Sequence, residues 1–381
     1  MHHNPYMTYC RTLVLLVCVP VFGQQYAIST VAGNGVAGAF LNNPTNVAVD
    51  PAGDVYVADW SGFIRKIWVR DRGITTVAGI GVLGYSGDGG QATNAMIGKA
   101  IRIAVDATGN IYFADGDNNR IRKVDAATGI ITTVAGTGAD VDTGDGGPAV
   151  SAGVSRPTGI TVDAVGDLYF SSSWSRVRRL IATTGTIETI AGRSVNGVSG
   201  DNGPAVDALF WGPVPSAVNR GGDVYIADFQ NSRVRVVMSK TAIVSTVAGS
   251  GACRTGPTPF GVPVCQGGFG GDGGPASSAM LNYAAAVALD AGGNLYIADT
   301  INHRIRLVDA STGLIYTIAG NGMTGFSGDG GPALAAELSF PSCIAVDRSG
   351  RIYFSDQGNN RIRVLTPATT QASRLKPRRQ R

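Results

Sequence analysis

Short hydrophobic runs of five or six residues recur along this chain, and polar turn residues separate them. β-Branched and aromatic residues fill the runs, while Gly, Asp and Asn bound them. Runs of this composition are typical of antiparallel β-strands. Between residues 101 and 135 the pattern predicts four strands, at Ile101–Asp106, Asn110–Ala114, Arg120–Asp125 and Ile131–Ala135. The hydrophobic pattern therefore predicts an all-β protein.

The four-strand pattern is present in six copies. A string of the type Thr-Val-Ala-Gly closes one strand of each copy, and a string of the type Gly-Asn-x-Tyr-x-Ala-Asp contains another. The tyrosines of the second string are separated by 56, 57, 56, 71 and 57 residues, at Tyr56, Tyr112, Tyr169, Tyr225, Tyr296 and Tyr353. Four antiparallel strands per repeat, at a period above 40 residues, indicate the blades of a β-propeller.

The two ends of the repeat array complete each other. The chain opens with a lone fourth strand, predicted at Tyr26–Ala32, and closes with three strands, at Ser342–Asp347, Arg351–Ser355 and Arg361–Leu365. Together they make one blade, and pairing between them closes the ring and removes its exposed edges. We predict a six-bladed β-propeller with four-stranded antiparallel blades over residues 24–366.

These recurring residues resemble the NHL-repeat family of six-bladed propellers. The resemblance rests on the string GxAVDxxGNxYxADxxNxRI, represented at Ile103–Ile121 and Val287–Ile305. The loop string SGDGGPA at Ser327–Ala333 is similar to that of bacterial secreted NHL proteins and of the teneurin type. The resemblance spans nearly the whole mature chain and implies the propeller fold. Members include protein-binding platforms, receptor sensor domains and a few lyases, so the fold alone does not determine the function.

Glycine is over-represented, with 54 of 381 residues, about twice the usual share, and charged residues make up only 15% against about a quarter in typical proteins. No Gly-X-Y period is present, which excludes collagen, and the plentiful apolar residues argue against disorder. Leu, Glu and Lys are scarce, which argues against a helical bundle. The glycines are expected in the turns of the six repeats.

The first 23 residues have the pattern of a secretory signal peptide. Arg11 precedes an apolar run at 13–22, and the small residue Gly23 follows. We therefore expect a secreted or periplasmic protein with no transmembrane segment in its mature form.

Residues 367–381 are expected to form a basic disordered tail. Its five basic residues and Arg11 account for the positive net charge: 31 − 6 = 25 basic against 27 acidic residues leaves −2. The folded part has no basic excess, and we expect no nucleic-acid binding. Contact of the tail with an anionic partner stays open.

The fifth copy carries a longer loop, which contains Cys253 and Cys265. An exported protein favours oxidation of a nearby pair, so we predict a disulfide between them. The loop is either a binding loop held in shape or a neutral insertion. Cys343 falls in a first strand and is expected to be a buried small residue.

Two sets of aspartates recur with the repeats. The second strands end at Asp59, Asp115, Asp228, Asp299 and Asp356, and the loops between copies contain Asp88, Asp145, Asp201, Asp272 and Asp329. A group present in nearly every copy is expected to solve a repeated structural problem, so we interpret the first set as structural. An Asp flanked by glycines is compatible with calcium, but we favour a turn in which the carboxylate accepts nearby backbone N–H groups.

Positions where the copies differ are better functional candidates than the repeated ones. The loops between second and third strands carry aromatic residues in three copies, and His303 replaces the usual Asn in a fourth. Aromatic side chains on a concave face can stack on sugars or grip a peptide, although packing between loops would also explain them. The candidate ligand-binding residues are Trp60, Phe63, Trp174, Trp211, Phe229 and His303.

We therefore expect a monomeric exported scaffold that binds a protein or glycan ligand through these loops, without a metal or other cofactor. The alternative is a metal-dependent hydrolase or lyase with a site at the central channel. The resemblance implies zinc held by several histidines in the amidating lyases of this fold, whereas His303 is the only histidine after the signal.

Overall fold

The computed structural model describes residues 25–36, 41–251 and 267–368. These residues form six separate antiparallel sheets. The first strand of each sheet contacts the first strands of the two neighbouring sheets, and these contacts run around a closed ring. The protein is a six-bladed β-propeller, as the repeats predict.

The strands of the first three blades follow one another along the chain. Blade 1 contains β2 (Asn46–Val49), β3 (Val55–Ala58), β4 (Ile64–Ile67) and β5 (Ile74–Ala78), blade 2 contains β6 (Ala100–Val105), β7 (Ile111–Asp115), β8 (Arg120–Val124) and β9 (Ile131–Ala135), and blade 3 contains β10 (Ile160–Val162), β11 (Leu168–Ser172), β12 (Arg176–Ile181) and β13 (Thr186–Ala191).

The other three blades include both ends of the described chain. Blade 4 contains β14 (Gly203–Pro204), β15 (Pro213–Val218), β16 (Val224–Asp228), β17 (Arg233–Val237) and β18 (Ile243–Ala248), blade 5 contains β19 (Ala284–Leu289), β20 (Leu295–Asp299), β21 (Arg304–Val308) and β22 (Ile315–Ala319), and blade 6 contains β23 (Pro341–Val346), β24 (Ile352–Asp356), β25 (Arg361–Pro367) and β1 (Tyr26–Ala32).

Single turns of 3₁₀-helix lie in two kinds of loop. Those between second and third strands are Gly116–Asn118, Phe229–Asn231, Thr300–Asn302 and Gln357–Asn359. Those between blades are Ala92–Asn94, Ala149–Ser151, Ala205–Asp207, Ala276–Ser278 and Ala333–Ala335. In the described part of the chain, no helix is both long and apolar enough to span a bilayer.

The hydrophobic core lies between neighbouring blades. Strands in the middle of a blade are buried on both faces, as in Val55–Ala58 and Leu295–Asp299, because each sheet packs against two others. Tyr56, Ile64 and Phe113, for example, belong to one cluster shared by blades 1 and 2. The absence of a clear polar–apolar alternation in these strands thus follows from the architecture.

The N-terminal strand completes the last blade. β1 pairs antiparallel with β25, with Tyr26 opposite Pro367 and Ile28 opposite Leu365. This pairing fits the closure that the repeats predict. The tail was expected to start at residue 367, but Pro367 is the last residue of β25. The backbone N–H of Ala368 also donates to the carbonyl of Gln25, at 2.7 Å.

The loops between blades cover the outer edges of the blades, which the sequence did not predict. In blade 4 this contact forms the short strand β14, which pairs with β18. Single bridges make the same contact in other blades, such as Gln91 with Ile130 and Pro332 with Ala27. Covering an outer edge satisfies backbone groups that would otherwise be open to pairing with another chain.

Several predictions fall outside the described residues. These are the signal peptide at 1–23, the Cys253–Cys265 disulfide and residues 369–381 of the basic tail. Cys343 is described, and it is buried with a free thiol in β23, as expected.

Candidate functional site

A cavity of about 270 Å³ lies at one end of the central channel. We call it the upper cavity, and we call the side of the ring on which it opens the upper face. The loops between second and third strands and the loops between blades open on this face, because neighbouring strands run in opposite directions. All six blades contribute to the lining, which consists of Thr45, Trp60, Arg102, Thr158, Trp174, Gly212, Val214, Phe229, Ala285, Thr300, Ser342 and Gln357.

Two positions of the repeat supply most of this lining. One directly follows the second strand and holds Trp60, Phe229, Thr300 or Gln357. The other lies in or just before the first strand, five residues before the Asp or Asn that begins the turn between the first and second strands. It holds Thr45, Thr158, Val214, Ala285 or Ser342. Because the residue type at both positions changes from copy to copy, each side of the cavity has its own chemistry.

Two tryptophans stand at the mouth of the upper cavity. Trp60 and Trp174 are 45% and 46% exposed, and they come from blades 1 and 3, on either side of blade 2. Trp174 has a φ of +59°, a conformation that is an outlier for a bulky side chain. Strain of this kind persists only where its surroundings hold it, and it is concentrated at functional sites.

Phe229 is the third aromatic residue of the lining. Its ring packs edge-on against Tyr283, with ring centroids 4.9 Å apart. The structure thus brings together three of the six residues that the sequence analysis singled out: Trp60, Trp174 and Phe229.

The other three candidates lie outside the upper cavity. The guanidinium of Arg65 lies over the ring of Phe63, 4.5 Å from its centroid. The backbone N–H of Trp211 donates to Asp228 at 2.9 Å. Neither Phe63 nor Trp211 is among the residues that line the upper cavity.

His303 is a buried residue of the contact between blades 5 and 6. Its Nδ1 accepts the backbone N–H of Phe340 at 3.2 Å, so the proton is on Nε2, which lies 2.8 Å from the hydroxyl of Thr324. Burial lowers the pKa of this imidazole, as does the neighbouring charge of Arg304. His303 is therefore held neutral with both ring nitrogens occupied, and it does not line the cavity.

Arg102 is a lining residue that the sequence analysis missed. It is 8% exposed, and its Nη2 donates to the carbonyl oxygens of Ala285 at 2.8 Å and Ser342 at 3.0 Å. The side chain therefore reaches from blade 2 across the channel to blades 5 and 6. A signal was present in the sequence, because the equivalent residue in the other copies is short: Asn46, Gly159, Pro215, Ala286 and Cys343.

Arg102 lies between the upper cavity and the rest of the channel. The channel also contains a second cavity of about 310 Å³, the lower cavity, which is lined by the later residues of the first strands, such as Val47, Ile103 and Ile344. None of the described residues that line this lower cavity is charged. Arg102 is thus the one charged side chain among the described residues lining either cavity.

The second-strand aspartates face into their blades. Asp115 accepts the backbone N–H of Gly98 at 2.9 Å and the amide of Asn118 at 2.7 Å, and it lies 3.5 Å from Arg122. The equivalent pairs are Asp59–Arg65 (3.9 Å), Asp228–Arg235 (3.7 Å), Asp299–Arg306 (3.2 Å) and Asp356–Arg363 (3.3 Å). These are the contacts of a repeated structural device.

Burial also sets the acidity of these carboxyl groups. It raises the pKa of Asp228 to about 7 and that of Asp299 to about 6, against the lowering effect of their hydrogen-bond donors and arginines. Asp228 lies farther from its arginine than Asp299 does, at 3.7 Å against 3.2 Å. The arginine therefore offsets less of the rise that burial causes in the pKa of Asp228.

Blade 3 lacks this aspartate, and its replacement is structural as well. Ser172 occupies the position, and its hydroxyl contacts the carboxylate of Asp142 in the preceding loop. Asp142 also accepts the backbone N–H of Ser155 at 3.0 Å, the bond that Asp115 makes to Gly98 in blade 2. A loop carboxylate has thus taken over the missing one.

The aspartates of the loops between blades contact distant residues, so the expectation of nearby backbone partners was wrong. Asp88 lies 2.6 Å from the Nη2 of Arg122 and accepts the backbone N–H of Thr133 at 3.0 Å. Burial raises the pKa of Asp88, but the hydrogen bonds from Thr133 and Arg122 outweigh it and hold the pKa below its usual value. Asp145, Asp201, Asp272 and Asp329 make the same contact with an arginine.

The described residues do not bring together a set of metal ligands. No three His, Cys, Asp or Glu side chains among them come close enough to share an ion. Because the loop aspartates already hold arginines, their carboxylates are not arranged around a calcium site.

Comparison with known proteins relates this chain to one group of propellers. The sequence model of a family described as the Teneurin NHL domain matches residues 83–143. Human teneurin-1 is 27% identical over 389 aligned positions, which cover 90% of this chain. The same alignment covers 13% of teneurin-1, so the chain corresponds to a small part of that protein.

Solved structures of low sequence identity share the fold. An auxiliary nutrient binding protein from Bacteroides thetaiotaomicron has a TM-score of 0.59 and 18% identity, covering 90% of this chain and 77% of the other. A catalytically inactive virginiamycin B lyase from Staphylococcus aureus, solved with quinupristin, has a TM-score of 0.51 and 15% identity, covering 90% and 99%. At these identities the likeness concerns the fold.

Proposed function

Since this chain is a six-bladed propeller of NHL repeats, we propose that it is an exported binding scaffold that takes a protein or glycan ligand in its upper cavity. NHL propellers serve several functions, so the proposal rests on the site and not on the fold.

The observation that carries the proposal is where the copies differ. The repeated aspartates, arginines and glycines hold each blade together, whereas the positions around the upper cavity carry Trp60, Phe229, Thr300 and Gln357 in equivalent places. A purely structural position would keep one residue type around the ring. Exposed aromatic side chains beside a concave, mainly apolar cavity are typical of ligand sites.

Export is supported by the N-terminal pattern of Arg11, the apolar run at 13–22 and Gly23. An oxidising compartment would also allow the disulfide proposed between Cys253 and Cys265. N-terminal sequencing of protein from the native host should give Gln24 as the first residue. Alkylation of the denatured, unreduced protein should label Cys343 alone, and labelling of all three mature cysteines would contradict the disulfide.

The alternative, a metal-dependent hydrolase or lyase, requires donors that the described lining of the upper cavity does not supply. The lining contains no carboxylate, imidazole or thiol among its described residues. Metal analysis of the purified protein tests this alternative, because one equivalent of zinc or calcium that is lost on changing an aspartate would favour it.

Affinity capture with variants tests the proposal itself. The mature propeller, immobilised, is exposed to culture medium and envelope extract, and bound material is compared for wild type and Trp60→Ala/Trp174→Ala. Trp68→Ala is the matched control, since Trp68 is 40% exposed but follows a third strand and lies on the opposite face. We expect the double variant to lose at least 90% of the captured ligand and the control to retain it. Equal capture by all three proteins would refute the upper cavity as the site.

A further inference from the structure

We infer that the upper cavity recognises a carboxylate-bearing sugar residue, a uronate, within a glycan, and that Arg102 binds its carboxylate. This inference rests on the proposed function and names the ligand class of the same cavity.

The first argument is the unbalanced charge of Arg102. Its Nη2 bonds to two backbone carbonyls, while none of the described residues accepts a hydrogen bond from its Nε or Nη1 or forms an ion pair with it. Buried charges in proteins are normally paired, because an uncompensated one is costly. Arg102 lines a cavity open to the upper face, so a ligand can supply the missing anion.

Other buried arginines of this chain show what Arg102 lacks. Arg122, Arg306 and Arg363 are fully buried, and each contacts two carboxylates, one from its own second strand and one from the loop between blades. The fully buried third-strand arginines are therefore paired with aspartates, whereas Arg120, Arg304 and Arg361, which donate only to backbone carbonyls, are partly exposed. Arg102 departs from that rule beside a cavity that is open to a ligand.

The second argument is the electrostatic surroundings of the cavity. None of its described lining residues is acidic, and the Nζ of Lys99 lies 5.7 Å from the ring centroid of Trp60, which adds a second positive charge at the mouth. Guanidinium groups bind carboxylates through short, charge-assisted hydrogen bonds. An anion is therefore attracted at the mouth and bound at the floor.

The third argument favours a sugar over a peptide. A sugar ring has apolar faces and a rim of hydroxyl groups, so it needs flat aromatic surfaces together with small polar partners. The cavity offers Trp60 and Trp174 together with the amide of Gln357 and the hydroxyl of Thr300, which donates to the carbonyl of Pro341 at 2.7 Å and can accept a hydrogen bond from a sugar. Its volume of about 270 Å³ is close to the lower end of ordinary ligand pockets, which suits one sugar ring.

A purely structural role for Arg102, as a tie between blades 2, 5 and 6, explains the two bonds of Nη2. It does not explain why the remaining N–H groups have no described partner, nor why aromatic and hydroxyl-bearing residues surround them.

Calorimetric titration of the wild-type protein with a defined panel tests the inference. The panel contains tetrasaccharides of galacturonate, guluronate and hyaluronan, the same tetrasaccharides with their carboxyls reduced to alcohols, a sulfated galactan tetrasaccharide, and hexaglutamate. We expect at least one uronate tetrasaccharide to bind and its reduced form to bind at least tenfold more weakly.

Variants then assign the carboxylate to Arg102. Arg102→Met, checked for folding by circular dichroism, should weaken the uronate glycan at least tenfold and leave the reduced glycan unchanged, while Arg102→Lys should retain part of the difference. If Arg102→Met does not fold, Lys99→Met gives a second readout, because it should weaken the uronate glycan two- to fivefold and spare its reduced form.

Each other outcome overturns the inference. Equal binding of native and reduced glycans would remove the carboxylate while leaving the scaffold proposal intact. Preference for the sulfated galactan or for hexaglutamate would replace the ligand class. A panel without any uronate binder at 1 mM would refute the assignment, whereas failure of the scaffold proposal would appear as unchanged capture by the tryptophan variants.

Discussion

At the scale of single residues, the buried arginines of the third strands hold the blades together. Arg122 is fully buried between Asp115 and Asp88. Blade 1 offers a natural contrast, because Arg65 is 23% exposed and lies 3.9 Å from Asp59. The loop that precedes blade 1 has no aspartate at the position equivalent to Asp88.

This contrast leads to a stability prediction. Arg122→Met should lower the free energy of unfolding by about 3–5 kcal/mol, because it leaves two carboxylates without their cation. Arg65→Met should cost about 1 kcal/mol, since its pair is longer and partly solvated. Urea denaturation of both variants checks the prediction, and equal losses would contradict it.

A pH prediction follows from Asp228, which is fully buried and has a pKa raised to about 7. The unfolded carboxyl titrates near 4, so the folded state holds the proton more tightly between those values. The contribution of Asp228 to stability is therefore greatest below about pH 4 and falls as the pH rises to 7, by at most about 1.4 kcal/mol per unit. Relative to Asp228→Asn, wild type should lose stability between pH 5 and pH 8 in urea denaturation. A constant difference between the two proteins would refute the raised pKa.

The residues of the site were only partly predictable from the sequence. Trp60, Trp174 and Phe229 interrupt a repeated motif, and the structure places all three around the upper cavity. Arg102 also interrupts a repeat, but it does so inside a strand, where the sequence does not say whether a side chain points to the channel. His303 also interrupts the repeated motif, but its ring contacts Phe340 and Thr324 and lies outside the lining of the upper cavity.

At the scale of elements, the strand bounds were predictable to within a residue or two. β1 was predicted at Tyr26–Ala32 and is observed there, because Gly, Asp and Asn mark the strand ends. The contacts of the loops between blades were not predictable. Tyr85 is a near partner of Asp88, but Arg122 and Thr133 lie 34 and 45 residues away, and no local pattern reports contacts at that distance.

One of these loops provides a matched pair of glycines. Gly87 and Gly89 have φ values of +88° and +83°, but an added Cβ at Gly87 would lie 2.7 Å from Ala95, while at Gly89 nothing lies within 4 Å. Gly89→Ala should therefore cost about 1 kcal/mol, the strain of a left-handed residue. Gly87→Ala should cost about 2–4 kcal/mol, because overpacking is added. Thermal unfolding of both variants measures the difference, and identical melting temperatures would contradict the packing described for this loop.

At the scale of the whole molecule, we expect stability to depend on the pairing of β1 with β25, which closes the last blade. β1 buries Tyr26, Ile28 and Ala32 and covers the edge of β25. Its Thr30 hydroxyl also donates to Asp329, at 2.5 Å, so the strand supports the loop that covers blade 6.

Removing this strand should therefore affect the entire propeller. A chain that starts at Asn34 should lose about 5 kcal/mol or more relative to one that starts at Gln24, given the apolar side chains that β1 buries. The exposed edge of β25 should also promote association. Urea denaturation and light scattering check both effects, and a stable monomeric shorter chain would contradict this view of closure.

The ring also explains how a repetitive sequence can build a site that is not repetitive. Six copies place equivalent positions around one axis, so a change in a single copy alters one side of the upper cavity and leaves the others intact. The glycines and aspartates maintain the ring, and the variable positions line the upper cavity.

The central claim is that a ligand binds at the upper face, and fluorine NMR tests it most directly. The chain has four tryptophans, Trp60, Trp68, Trp174 and Trp211, so 5-fluorotryptophan labelling gives one signal for each. The labelled protein is titrated with the acidic tetrasaccharide that binds most tightly in calorimetry. We predict that the signals of Trp60 and Trp174 shift while that of Trp68, on the opposite face, does not. A shift of Trp68 with the signals of Trp60 and Trp174 unchanged would contradict the account.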